Sequence, residues 1–88
     1  MLKITADVRN PRHRVLRLDG QLVGPWVDEL STACTRALAE DDARLTLDLA
    51  GVGYVEPAAV QLLRRLRARR VELAQCPPFV AVQLESTL

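Results

Sequence analysis

Two prolines set the outline of this chain. Pro25 and Pro57 each follow a run with strand-like apolar alternation and open a run with helix-like apolar spacing. Proline suits the first turn of a helix, where the N–H it lacks would be unpaired anyway. The chain is therefore punctuated into short strands and helices in alternation. That pattern implies an α/β domain with a partly parallel sheet, because helices between successive strands act as crossovers.

Leu2, Ile4, Ala6 and Val8 alternate with Lys3, Thr5, Asp7 and Arg9, the period of a half-buried strand. Asn10-Pro11 breaks it, and Val15-Leu16-Arg17-Leu18 follows with Leu16 and Leu18 on one face. A polar loop over about 10–13 makes this pair an antiparallel hairpin. Asp19-Gly20 marks the end of the second strand or a bend within it. Gly24-Pro25 opens a helix over about 25–40, with Val27, Leu30, Cys34 and Leu38 inward and an end near Glu40-Asp41-Asp42. Leu45 to Leu49 reads as the third strand and Gly51-Val52-Gly53 as a turn. Glu56-Pro57 opens a second helix with Ala59, Leu62, Leu63 and Leu66 inward. Val71, Leu73 and Gln75 form a fourth strand that Pro77-Pro78 stops. Phe79 to Glu85 forms a short last helix, with Phe79, Val82 and Leu84 as its apolar contacts.

The expected architecture is a four-stranded mixed sheet with about three helices in the order β-β-α-β-α-β-α, a single domain over 1–88. Its core comprises Leu16, Leu18, Leu30, Cys34, Leu47, Leu49, Leu62, Leu63, Leu66, Leu73 and Val82. With 49% apolar residues, an 88-residue chain can bury such a core, though a small one.

Composition narrows the function. The net charge is +1 and there are three aromatics, Trp26, Tyr54 and Phe79. Neither a basic footprint nor a stacking platform for nucleic acid is present. No apolar run is long enough to insert in a bilayer, and the N-terminus alternates rather than forming a secretory core. Cys34 and Cys76 have no CxxC spacing and read as small buried hydrophobes. Together these features imply a cytoplasmic protein. Eleven arginines against one lysine, with eleven alanines, imply a GC-rich bacterial coding background.

Catalytic chemistry finds little to work with. His13, the one histidine, falls in the loop between Arg12 and Arg14. Ser31 and Ser86 lack a neighbouring base or a nucleophile elbow. Gly51-Val52-Gly53 lacks the third glycine of a dinucleotide fingerprint, since Glu56 stands there. Neither metal ligands nor a cofactor motif are evident. An enzyme or nucleotide binder would have to rest on Asp48 and Glu56, whose plainer roles are packing and capping. The run Arg64-Arg65-Leu66-Arg67-Ala68-Arg69-Arg70 is either a solvated helix face with a charged end or a docking patch for an acidic partner. Residues 1–57 carry 7 basic and 9 acidic side chains, and 58–88 carry 5 and 2.

The stretch Leu45-Thr-Leu-Asp-Leu-Ala-Gly-Val-Gly-Tyr-Val-Glu-Pro-Ala-Ala-Val-Gln-Leu-Leu63 resembles the central pattern of STAS domains, the domains of bacterial anti-sigma factor antagonists. Asp48 matches the strand Asp, and Val52, Tyr54 and Val55 match the hydrophobic approach. Glu56 stands at the family's Asp and Pro57 at its phosphorylated Ser or Thr. Ala58 and Ala59 stand at the small residues that follow. Upstream, Val15 to Leu22 resembles the second strand with its Gly-Glu-Leu segment. Downstream, Val71 to Pro78 resembles the fourth strand and the start of the next helix.

The resemblance implies a non-enzymatic protein-interaction module. In the family, a kinase phosphorylates the hydroxyl at the helix entrance, and the added charge weakens the complex. Pro57 has no hydroxyl, so the implied module binds without that switch. Its partner would be an anti-sigma kinase-like protein. The alternative is a cytoplasmic accessory subunit of a lipid-transport-type ABC transporter, a role some STAS domains fill. The implied contact surface is Glu56, Pro57, Ala58, Val60, Arg64 and Arg67, with the last three at helical spacings of four and three. Self-association is left open.

Overall fold

The computed structural model describes residues 1–10, 12–39 and 43–85, and the side chains of all but 9 and 10. The elements follow the expected order: β1 (Leu2–Asn10), β2 (His13–Leu22), α1 (Pro25–Ala37), β3 (Arg44–Val55), α2 (Pro57–Ala68), β4 (Glu72–Ala74) and α3 (Pro78–Glu85). One four-stranded sheet is ordered β1-β2-β3-β4. β1 pairs antiparallel with β2, while β2–β3 and β3–β4 are parallel. The expected break at Pro11 and the acidic stretch at 40–42 lie outside the described residues. α1 itself closes at Ala37, earlier than expected.

One face of the sheet carries the core. Leu16, Leu18 and Leu22 from β2 and Leu45, Leu47, Leu49, Val52 and Val55 from β3 are buried there. Leu30, Cys34 and Ala37 cover them from α1, Ala59, Leu62, Leu63 and Leu66 from α2, and Val80 and Leu84 from α3. Leu73 is half-buried against this core, opposite Leu47. The other face is mostly polar, with Thr5, Arg17 and Asp48 side by side in register.

Gly51-Val52-Gly53 is not a turn. It lies inside β3, which continues to Val55. Arg17 opposes Asp48 and Asp19 opposes Gly51, so β3 carries one extra residue there. It carries a second between Val52 and Tyr54, which oppose Gly20 and Gln21. Each bulge shifts the alternation by one, and the buried apolar positions run 45, 47, 49, 52, 55. Gly51 permits the first bulge, because a Cβ there would sit 2.8 Å from the Leu18 carbonyl oxygen and collide with the Asp19 carboxylate.

Three further expectations change. His13 opens β2 instead of lying in a loop, and its Nε2 is 3.0 Å from Thr46 Oγ1. Gln75 lies outside β4, in a bend with φ 56°. Val82 is 70% exposed and Phe79 39% exposed, whereas Val80 is fully buried. α3 is apolar around most of its circumference, so its sequence has no stripe to mark the inward face. Packing on α2 selects Val80 and Leu84, four residues apart.

Candidate functional site

The parallel strands β2 and β3 end side by side, with Gln21 opposite Tyr54 and Leu22 opposite Val55. Each then feeds a helix that opens on proline. The carboxyl ends of neighbouring parallel strands are where α/β sheets gather ligand contacts. Here they bring together the entrances of α1 and α2.

Glu56 joins the two. Its backbone N–H donates to the Leu22 carbonyl at 3.1 Å, and its Oε1 accepts from the Gly24 N–H, also at 3.1 Å. Gly24 has φ 54° and ψ −132°, a left-handed conformation that glycine adopts without steric cost. Neither helix has a side-chain cap of its own. The Glu56 carboxylate instead reaches across to the start of α1, where the helix dipole favours negative charge. Around this clip Gly24, Pro25, Gly53, Tyr54, Pro57 and Ala58 are exposed, and Trp26 is half-buried against the core. Tyr54 is 50% exposed. Gly24, Pro25 and Trp26 were legible in the sequence only as a helix start. Their place beside Pro57 follows from the parallel pairing of β2 with β3.

The expected surface does not run down α2 as its spacing suggests. Glu56, Pro57 and Ala58 stand at the entrance. Val60 is 7% exposed and belongs to the core. Arg64 is half-buried and turned toward α3, its Nε donating to the Leu84 carbonyl at 3.2 Å and its Nη2 to the Gln83 carbonyl at 2.8 Å. These carbonyls belong to the last turn of α3, where helices leave acceptors unpaired and a cation meets the dipole. Arg67 pairs with Glu85 at 3.1 Å, in solvent. Both arginines hold α3 in place. The spacing 60, 64, 67 marks one face of α2 but does not say what covers that face.

The other candidate groups have structural partners. Asp48 Oδ1 accepts from the Ala50 N–H at 3.0 Å, inside the first bulge. Cys34 is buried in α1, and burial pushes its thiol up to about 11, with Arg69 pulling weakly the other way. Cys76 is half-buried and its thiol is also raised by burial. Both cysteines are free. Among the described residues no three His, Cys, Asp or Glu side chains gather into a metal site, and no helix is long and apolar enough to cross a membrane.

Comparison with known proteins agrees with this geometry. The family model described as "Mlab, STAS domain" matches residues 5–87. None of the curated proteins matches the chain. Among solved structures, an antisigma-factor antagonist STAS domain from Rhodobacter sphaeroides is 25% identical, with a TM-score of 0.64 over 84% of this chain and 86% of that one. The anti-sigma factor antagonist SpoIIAA in its unphosphorylated form is 16% identical, with a TM-score of 0.60 over 81% of this chain and 69% of that one. Mglu is 22% identical at a TM-score of 0.62, over 80% of this chain but 18% of its own. The last two likenesses concern the fold alone. A family match over nearly the whole chain and a mixed sheet of the same order have one common conclusion: the chain belongs to the STAS domain family.

Proposed function

We propose that this chain is a non-enzymatic docking module that engages a protein partner through the joined entrances of α1 and α2, without a phosphorylation switch at that place. The observation that carries the proposal is Pro57 at the first position of α2, followed by Ala58, Ala59 and Val60, so the first turn holds no hydroxyl. The exposed Tyr54 and half-buried Trp26 add apolar area beside it, and aromatic side chains are enriched where proteins meet. By the family likeness, the partner is an anti-sigma kinase-like protein.

A second reading is favoured by the same proline. A permanently docked accessory subunit, such as that of a lipid-transport-type ABC transporter, needs a contact that is not switched off. Among the described residues no helix is long and apolar enough to cross a membrane.

Amide shift mapping on the labelled domain tests both. It is titrated separately with the anti-sigma kinase and with the transporter ATPase encoded nearest its gene. Shifts centred on Gly24, Trp26, Glu56 and Ala58 with either one support docking at the helix entrances and name the partner class. Binding that leaves these amides unmoved refutes the surface.

A further inference from the structure

The two edges of the sheet are unlike. β4 is three residues long and is followed by the positive φ of Gln75. β1 runs for nine residues and pairs with no strand on its outer side among the described residues. A long strand with one unpaired row of N–H and C=O groups is a template for another strand.

The register identifies which groups are free. The Gln21 N–H donates to the Met1 carbonyl at 3.1 Å, and Lys3, Thr5 and Asp7 lie opposite Asp19, Arg17 and Val15. In an antiparallel ladder each residue directs both backbone groups to one side. Met1, Lys3, Thr5 and Asp7 therefore face β2, and Leu2, Ile4, Ala6 and Val8 present theirs outward. These four also carry their side chains on the helix-covered face, where the cover thins along the strand. Leu2 is buried, Ile4 half-buried, Ala6 exposed and Val8 60% exposed. Beside Ile4 lies a groove of about 290 Å³, lined on α1 by Glu29, Thr32, Ala33 and Arg36.

We propose that the β1 edge binds a second copy of this chain, antiparallel and two-fold symmetric about Thr5. In that register Leu2 meets the second copy's Val8 and Ile4 meets its Ala6. These are the residues whose backbone groups are free, and each such pair exchanges both bonds. Lys3 faces Asp7 at the intervening positions, where antiparallel strands bring side chains closest and opposite charges stabilise. Asp7 also takes part in an interaction within its own chain, so the pairing adds a cation beside it. A slip by one residue would set a free residue against one already used by β2. A slip by two would part Lys3 from Asp7.

The helix above the edge obeys the same symmetry. Glu29 and Arg36 stand two turns apart on the groove wall, with Thr32 and Ala33 between them. A two-fold that reverses β1 also reverses α1, and turns Glu29 of each copy toward Arg36 of the other. A surface carrying opposite charges at its two ends is self-complementary in this antiparallel sense, the requirement of an isologous interface.

Sedimentation equilibrium of the full chain, from about 1 µM to about 1 mM, tests the proposal. A monomer–dimer equilibrium is expected. Ala6→Pro removes an outward N–H without touching the β1–β2 ladder, so it should keep the circular dichroism spectrum and abolish the dimer. Lys3→Asp should weaken dimerisation about tenfold, and Lys3→Asp combined with Asp7→Lys should restore it. A monomer throughout the range overturns the proposal. So does undiminished dimerisation of the Ala6→Pro or Lys3→Asp protein, and the charge pair decides the matter if the proline variant fails to fold.

Discussion

The carboxylate of Glu56, at the entrance of α2, accepts a hydrogen bond from the backbone N–H of Gly24, at the entrance of α1. One side chain thus ties together two helices whose starts are 32 residues apart in the sequence. Replacing Glu56 with Ala should cost about 1 kcal/mol. Glu56→Gln keeps an acceptor oxygen and should cost about half as much. Urea titrations of the two variants compare them directly, and equal losses would mean the bond is idle.

Arg64 should matter for α3 more than for any partner. Arg64→Ala removes two hydrogen bonds to the last carbonyls of α3 and should cost about 1.5–3 kcal/mol. Lysine cannot supply the fork and should restore only part of that loss. Hydrogen exchange at the α3 amides should accelerate in both variants. The solvent-exposed Arg67–Glu85 pair should contribute no more than about 1 kcal/mol, declining with salt.

The facing of α3 gives a paired test. Val80→Ala, at a fully buried site, should lower stability by about 1.5–3 kcal/mol. Val82→Ala, at a 70% exposed site, should stay within about 0.5 kcal/mol of the parent. Thermal melts of the two proteins would expose a helix packed the other way round.

Cys34 should make stability fall in alkali. Its thiol pKa is about 11 in the fold against 9.0 ordinarily, because burial disfavours the thiolate. The folded state holds this proton more tightly, so the contribution is fully present below pH 9.0 and is lost as pH rises through about 11. It amounts to about 2–3 kcal/mol. The difference between the native protein and Cys34→Ala, followed by urea midpoint from neutral pH upward, isolates it. A constant difference would contradict the assignment.

Pro57 should leave residues 56–60 unmodified by an anti-sigma kinase and ATP, as read by peptide mass spectrometry. Pro57→Ser supplies a hydroxyl at the first position of α2 and should make this segment a phosphate acceptor for the same kinase. Phosphate on the native segment would refute the absence of a switch there.

The sequence by itself determined the order of elements, the helix starts at Pro25 and Pro57, and the inward positions Leu30 and Cys34 of α1 and Ala59, Leu62, Leu63 and Leu66 of α2. These rest on local period and on proline's missing N–H, which act within a few residues. It also carried the family likeness and the missing hydroxyl at Pro57. Only the tertiary structure decided that Gly51-Val52-Gly53 continues β3, since two bulges opposite β2 break the alternation by which a strand is recognised. It decided that Val80 rather than Val82 faces inward, because an apolar helix without a stripe takes its orientation from what it packs on. It placed Val60 in the core and gave Arg64 carbonyl partners 19 and 20 residues away. A helix face names neighbours along one element. Whether that face meets solvent, a partner or another segment of the same chain depends on contacts that only the assembled fold supplies.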